Sequence, residues 1–285
     1  NSDRTKMTKT VAQAMLAKVY AEKEVQDYDK VIAYADKVMK TTGVELEDSY
    51  ETLWGYDETA KDCMKRNTKE GILEVHWTTG SGNWETWMYG RQLDNWDYYF
   101  TWAKWITPSR DIINDFDKEG DEVRKNQAIV YYACTWSNYY PASNYPFMYK
   151  LRSSYNNIYW VRLADIILMK AEAEAYKGNL AESAKLVNQI RKRAKLKELT
   201  SDKTGSKESM IEAVLHERRL ELAFEGERWF DLCRNNKVEQ YLNGIDNRDS
   251  GRIRQVRQFD GNSYLLPIPQ TALDQNTNLE QNPGY

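Results

Sequence analysis

The sequence predicts a mainly α-helical protein, in which a degenerate tetratricopeptide-type scaffold of helical hairpins carries one large irregular insertion. Segments at both ends of this insertion repeat apolar residues at spacings of three and four, which places them on one face of a helix. Small residues recur where paired helices would touch. Between them, residues 50–159 hold many aromatic side chains among Gly, Asn, Asp and Ser, which favour loops.

The first pair of helices is predicted at residues 7–23 and 27–39. Thr8 is placed to cap the first helix, whose apolar face would carry Val11, Met15 and Val19. The same helix has Leu-Ala and Tyr where a tetratricopeptide repeat places Leu-Gly and Tyr, at Leu16, Ala17 and Tyr20. Because the following turn is about two residues longer than in that repeat, the repeat is degenerate.

A second pair is predicted at residues 160–176 and 180–194, with Gly178 and Asn179 in the turn between the helices. Residues 208–225 would form the first helix of a third unit. Since a long segment separates the first and second units, the scaffold is predicted to be a helical repeat with an insertion, and not a continuous solenoid.

Within the insertion, residues 71–77 alternate enough to predict a short strand, and Ser109 is placed to cap a helix that runs through Phe116. Two runs of aromatic residues flank that helix. Neither run keeps the period of a helix or a strand, so their rings are less easily explained as a buried core face.

The stretch Glu217 to Leu232, ERRLELAFEGERWFDL, organises the prediction for the second half of the chain. Arg218 can pair with Glu221, but the remaining carboxylates stand four residues apart and repel one another in a lone helix, so partners from elsewhere in the fold are expected. Gly226 is placed to end the helix. A bulky plug is predicted from Trp229, Phe230 and Leu232. The stretch is interpreted as a structural clasp and not as a catalytic site.

Composition excludes several classes of function. The net charge is −3, so there is no basic field to attract nucleic acid. No apolar run approaches the length of a membrane span. The histidines, His76 and His216, have no metal-ligand spacing, and residues 246–251 depart from a calcium loop and are predicted to be a turn. No metal, cofactor or catalytic residue is predicted, although the many acidic residues leave a glycosidase pair of carboxylates open.

The aromatic runs are the strongest functional signal in the residues themselves. Flat rings with polar neighbours suit the C–H faces of sugars, while Asn, Asp, Gln and Arg bind hydroxyl groups. The candidates for glycan stacking are Trp84, Trp87, Trp96 and Trp102 in the first run and Trp136, Tyr139 and Tyr140 in the second.

Four segments resemble the SusD/RagB family of surface glycan-binding lipoproteins. They are the stretch 217–232, WVRLADIILMKAEAEA (160–175), LLPIPQTAL (265–273) and the terminal NLEQNPGY (278–285), and they follow the family's order. The resemblance implies a single SusD-like portion with a first helix pair (1–49), a ligand-side insertion (50–159), two further helical units (160–240) and a tail packing on the scaffold (241–285).

The resemblance also implies a function. A SusD-like protein would bind polysaccharide or oligosaccharide at the outer membrane without cleaving it, and its helical-repeat side would meet a SusC-like TonB-dependent transporter. The family's N-terminal portion, with its lipid-bearing cysteine, is expected to precede this sequence and to provide the only attachment to the membrane. The alternatives are a peptide-binding RagB-type member and a glycoside hydrolase.

Overall fold

A computed structural model of the chain describes residues 2–60, 62–77, 84–90, 106–134, 139–153, 155–251 and 257–285. The chain forms two compact units, Asn1–Arg228 and Trp229–Tyr285. About 51% of it is helical, which confirms the predicted class. None of the described helices is long and apolar enough to cross a membrane.

The helices of the first unit are α1 (Lys9–Ala21), α2 (Tyr28–Met39), α3 (Glu51–Trp54), α4 (Trp84–Tyr89), α5 (Arg110–Glu119), α6 (Glu122–Ala128), α7 (Leu163–Tyr176), α8 (Leu180–Arg193), α9 (Ser201–Thr204) and α10 (Lys207–Glu221). Its strands are β1 (Tyr56–Asp57), β2 (Asp62–Cys63), β3 (Gly71–Val75), β4 (Ile129–Tyr132), β5 (Tyr145–Met148) and β6 (Ile158–Arg162). Thr8 caps α1 and Ser109 caps α5 through their side chains, as predicted.

Helix α7 is the centre of the first unit. Its sequence is apolar or small on nearly every face, and all residues from Leu163 to Ala175 are buried, as expected for a helix enclosed by others. It packs against α1, α2, α8 and α10. Ala164, Ala171 and Ala175 lie in the main core cluster, where their small side chains allow these helices to approach. The paired-helix scaffold is thus stabilised through one shared helix.

Strands β3 and β6 pair antiparallel, and the pairing contains two irregularities. Leu73 pairs with Val161 and Glu74 with Tyr159, so Trp160 is the extra residue of a bulge. The prediction that a helix begins at Trp160 was wrong, because residues 160–162 complete this strand and the helix begins at Leu163. The strand at 71–77 was predicted correctly in type and ends at Val75.

Two short antiparallel pairs, β1 with β2 and β4 with β5, lie within the insertion. Parts of the aromatic runs are therefore regular, contrary to the prediction. Tyr145 and Phe147 of β5 are buried in a cluster of aromatic side chains, while the first run contains helix α4. Short strands and a six-residue helix are too brief to leave a clear period in a sequence of this composition.

Helices α1 and α2 expose part of the face that was predicted to be buried. Val19 is 50% exposed, which corrects that part of the prediction. Nearby, the rings of Tyr20 and Tyr34 stack with centroids 5.9 Å apart. Lys30 and Lys37 place their ammonium groups 4.5 Å from the centroids of Tyr20 and Tyr34 respectively.

The second unit contains α11 (Arg228–Arg234), α12 (Val238–Leu242), α13 (Ile245–Arg248) and α14 (Gln270–Gln275). The predicted turn at 246–251 therefore begins as one helical turn. Side chains tie the end of the chain to its LLPIP segment: Gln281 bonds both the N–H and the C=O of Ile268, and the Tyr285 hydroxyl donates to Leu265 O at 3.0 Å. That the tail packs on the scaffold stays a prediction.

The predicted plug of bulky residues is only partly buried. Leu232 is fully buried, but Trp229 is 37% and Phe230 56% exposed. The indole of Trp229 stacks on Phe259 with centroids 5.8 Å apart. The helix that precedes this segment also ends early, at Glu221, because Phe224 and Gly226 adopt positive φ angles of 65° and 86°. Gly226 is left-handed as predicted, but it stands beyond the helix end.

Candidate functional site

The predicted stacking residues are only partly visible in the structure. Trp84 and Trp87 belong to α4. Trp96, Trp102 and Trp136 lie outside the described residues. The remaining two, Tyr139 and Tyr140, are described with their side chains and lie next to each other in space.

Tyr139 and Tyr140 form a cluster with Arg110, the first residue of α5. The two rings meet edge to face with centroids 4.9 Å apart. The Arg110 guanidinium lies over both, 4.6 Å from the centroid of Tyr139 and 4.1 Å from that of Tyr140. It also donates a hydrogen bond to Tyr139 O. Because Ser109 caps the helix, the backbone that carries Arg110 is fixed.

The two tyrosines differ in what they offer a ligand. Tyr140 is 8% exposed, its hydroxyl donates to Pro108 O at 2.7 Å, and its ring packs against Tyr145. It therefore presents little surface. Tyr139 is half-buried, so part of the residue reaches solvent. The arrangement is a fixed aromatic and cationic surface, which can stack on an apolar sugar face and donate to an oxygen.

The sequence did not identify two residues that the structure makes candidates, Arg110 and Trp160. Arg110 was overlooked because it lies far from Tyr139 along the chain, and nothing in the sequence indicates that the two side chains meet. Trp160 was assigned to a helix, yet it projects from the β6 bulge and is 61% exposed, while Tyr159 and Val161 on either side are buried. Recognising the strand would have placed Trp160 on the outer face, since strand residues alternate.

Arg162, the last residue of β6, belongs to a buried network of ion pairs in the first unit. Glu221 accepts from Arg162 Nη1 at 2.6 Å and from Arg124 Nη1 at 3.3 Å, and it also pairs with Arg193. Arg162 further binds Glu225, at 2.7 Å from Nε, and Glu70, at 2.8 Å from Nη1. The prediction that the carboxylates of the stretch 217–232 find partners elsewhere in the fold is confirmed.

The network's charges depend on each other. Burial alone would raise the pKa of Glu221, but Arg193, Arg162 and Arg124 outweigh it and hold that pKa well below its usual range. Arg162 and Lys150 likewise lower the pKa of Glu225 against the effect of burial. For Lys150, burial dominates its contact with Glu225, and its pKa falls to about 8.

The pairing of Arg218 differs from the prediction. Its guanidinium bonds Asp165 of α7, at 2.7 Å from Nη2 to Oδ1, and not Glu221. Lys18 of α1 binds the other carboxylate oxygen of Asp165 at 2.8 Å and Glu227 at 2.7 Å. The ion pairs of this cluster link α1, α7 and α10. Through them, the stretch 217–227 is bound to the helices of the scaffold.

Metal binding finds no support in this geometry. No group of three or more His, Cys, Asp or Glu side chains within the described ranges is arranged to hold an ion. The two histidines instead contact carboxylates, His76 with Glu74 and His216 with Glu119. The site's chemistry, as far as the structure describes it, is that of rings, amides and guanidinium groups.

These features define a helical-repeat scaffold protein with an aromatic-rich insertion. The sequence pattern of the SusD family matches residues 139–285, just over half of the chain. The chain therefore belongs to the SusD family. The stretch 217–232 and the three other segments that carried the resemblance all lie within the matched range.

Two curated relatives share this part. SusD-like protein P38 of Formosa agariphila is 36% identical over 135 residues, which are 45% of this chain and 25% of that protein. SusD-like protein P2 of the same organism is 32% identical over 144 residues, 47% of this chain and 27% of the relative. The matched segment thus spans about a quarter of each relative's length.

Solved structures match the fold along nearly the whole chain. A SusD homologue from Bacteroides thetaiotaomicron superposes with a TM-score of 0.76 at 20% identity, covering 99% of this chain and 65% of that one. Surface glycan-binding protein A of the same organism, in complex with laminarihexaose, gives a TM-score of 0.73 at 17% identity, with 99% and 65% covered. A laminarin-binding SusD-like protein gives 0.69 at 23% identity, with 99% and 64% covered. This chain spans less than two thirds of their length.

Proposed function

We propose that this protein binds polysaccharide or oligosaccharide at the bacterial cell surface without cleaving it. Membership of the SusD family through residues 139–285 is the observation that carries the proposal. Two structures of the same fold add support, since one is of a laminarin-binding protein and the other holds laminarihexaose. The half-buried aromatic and cationic surface at Tyr139 and Arg110 supplies chemistry that suits a sugar.

The ligand contacts are proposed to come from the aromatic runs, at the seven residues named from the sequence. Tyr139 is the best supported of them, since its ring is partly open and braced by Arg110. A ring of this kind contributes about 1–3 kcal/mol when a sugar covers it. Several rings are needed to offset the free-energy cost of association.

Replacement of Tyr139 by alanine is expected to weaken glycan binding about tenfold, which corresponds to about 1.4 kcal/mol. The physical reason is the loss of the ring surface on which the sugar would stack. Calorimetric titration with the oligosaccharide selected on a glycan array measures the change. The same replacement is made at the other six candidates.

Tyr34→Ala is the matched control, because this ring also stacks on a tyrosine and contacts a lysine but lies on helix α2 of the scaffold. It should leave the affinity unchanged. If all seven single variants bind like the parent while remaining folded, the aromatic runs are not the binding surface.

Delivery to a TonB-dependent outer-membrane transporter is part of the same proposal. The helical scaffold exposes lysines on α2 and α8, such as Lys37 and Lys192. Such charged faces can attract a partner protein of opposite charge. Lipid anchoring at the outer membrane completes the proposal. Co-purification of the transporter with the membrane-bound protein tests both points, and recovery of the protein without any transporter would count against delivery.

A glycoside hydrolase and a peptide-binding RagB-type protein are the alternatives. Incubation with oligosaccharides, followed by chromatography of the products, separates the first from the proposal. We expect the substrate to be recovered intact. Cleavage that disappears when one pair of carboxylates is changed to amides would establish the enzyme instead, and retention of peptides but not glycans would establish the peptide binder.

A further inference from the structure

A cleft of about 370 Å³ opens in the first unit, in a place that neither Tyr139 nor Tyr140 lines. Its walls are residues 48–51, one side of α6 and the end of α8. The volume lies within the range of small-ligand pockets, about 300–1,000 Å³. The lining is about half polar and half apolar, with Tyr50 and Val123 among its residues.

Several polar groups of this lining are unused within the part of the chain that the structure describes. The side chains of Asn126 and Lys195 make no hydrogen bond or ion pair with another described residue. Gln127 accepts a hydrogen bond from Arg152 Nη1 through its Oε1 at 3.1 Å, which leaves its amide nitrogen as a donor. Glu51 and Glu122 add carboxylate acceptors.

Arg193 gives an independent indication of a ligand. Its side chain is only 5% exposed, and its two terminal nitrogens bind Glu70 and Glu221. Its Nε lines up with no hydrogen-bond acceptor among the described residues. A buried N–H without an acceptor destabilises a fold by about 1–3 kcal/mol, and this one belongs to a residue that lines the cleft.

We propose that the cleft binds a single neutral sugar residue and is a second carbohydrate site, separate from the aromatic surface. A sugar hydroxyl both donates and accepts, which matches a wall holding both kinds of group. Lys195 and the Gln127 amide donate, and Glu51 and Glu122 accept.

The charges also select against other ligands. Glu51 and Glu122 disfavour an anion, while Lys195 and Arg193 disfavour a cation. Val123 can contact the C–H face of a pyranose, while the charged residues of the lining disfavour a purely apolar ligand such as a lipid tail. The proposal rests on the carbohydrate ligand class inferred above, and it adds a site on the scaffold side of the insertion.

The test is an NMR titration of the ¹⁵N-labelled protein with the methyl glycosides of glucose, galactose, mannose and xylose. We expect saturable shifts of the Asn126, Gln127 and Lys195 amides, of the Gln127 side-chain amide and of the Arg193 Nε–H signal. The double variant Asn126→Ala, Lys195→Gly should weaken binding at least tenfold. Glycine is chosen because Lys195 has a φ of 59°, which glycine adopts without strain.

Lys192→Ala is the control, since this lysine is exposed on the last turn of α8 but does not line the cleft. It should bind like the parent. Shifts confined to other regions, or a double variant that binds like the parent, would overturn the second site and leave the proposed function standing. Failure of every glycoside and of every array glycan would instead overturn the ligand class itself.

Discussion

Replacement of Glu221 by alanine is expected to lower the free energy of unfolding by about 3–5 kcal/mol. The carboxylate is fully buried and holds Arg124, Arg162 and Arg193. Its removal leaves three guanidinium groups short of one anion in a region from which water is excluded, and a buried charge without its partner is strongly unfavourable. Urea denaturation followed by circular dichroism measures the change.

Glu45→Ala is the matched control. Its carboxylate is 69% exposed and lies 3.9 Å from Lys69, so the loss should stay within about 0–1 kcal/mol. Glu221→Gln tests the role of charge, because it keeps the size of the side chain while removing the anion. Its loss of unfolding free energy should lie between the losses of Glu45→Ala and Glu221→Ala. A Glu221→Ala protein as stable as the Glu45→Ala protein would show that the network is not what holds the stretch 217–227 in place.

Local features of this fold could be predicted from the sequence because their causes lie within a few residues. Thr8 and Ser109 cap their helices by bonding N–H groups three residues on. The start of α7 could not be placed in the same way. Nothing in the local sequence ends the helical pattern at residues 160–162. They form a strand because they pair with β3, which lies far earlier in the chain.

The partners of the buried charges and the residues of the candidate site also depend on contacts that are distant along the chain. The repulsion between clasp carboxylates indicated distant partners, but it could not name Arg124 or Arg162, because nothing along the chain links them. Arg110 and Tyr139 meet only through the packing of α5 against the second aromatic run. An abundance of rings indicates the kind of surface, whereas which ring is open, as at Tyr139, or packed, as at Tyr140, depends on tertiary contacts.

Acid is expected to destabilise the protein from about pH 5 downwards. The hydrogen bond from His216 lowers the pKa of Glu119 to about 2 against the effect of burial, and Arg191 contributes. The pKa values of Glu221 and Glu225 also lie below their usual range. Asp165 behaves in the same way, because Lys18 and Arg218 outweigh its burial.

The sign follows from proton binding. A carboxyl whose pKa is lower in the folded state binds fewer protons there than in the unfolded chain, so its stabilisation is present above about pH 4.5 and is lost as the pH falls towards the folded value. Burial raises the pKa values of Asp121 and Glu227, and these two oppose the trend. Because four carboxyl groups have lowered pKa values and only two have raised ones, we expect a net loss of stability in acid.

Urea midpoints measured at pH 7, 5 and 3 test this balance, and we expect the largest decrease between pH 5 and 3. Glu119→Gln should be less stable than the parent at pH 7. The difference should shrink at pH 3, because this pH lies below the ordinary pKa of an unfolded glutamate, so much of the stabilisation that comes from the lowered folded pKa is already lost. A midpoint that stays constant or rises between pH 5 and 3 would mean that the raised pKa values of Asp121 and Glu227 dominate. The buried carboxylates would then be held by packing and hydrogen bonds more than by their charge.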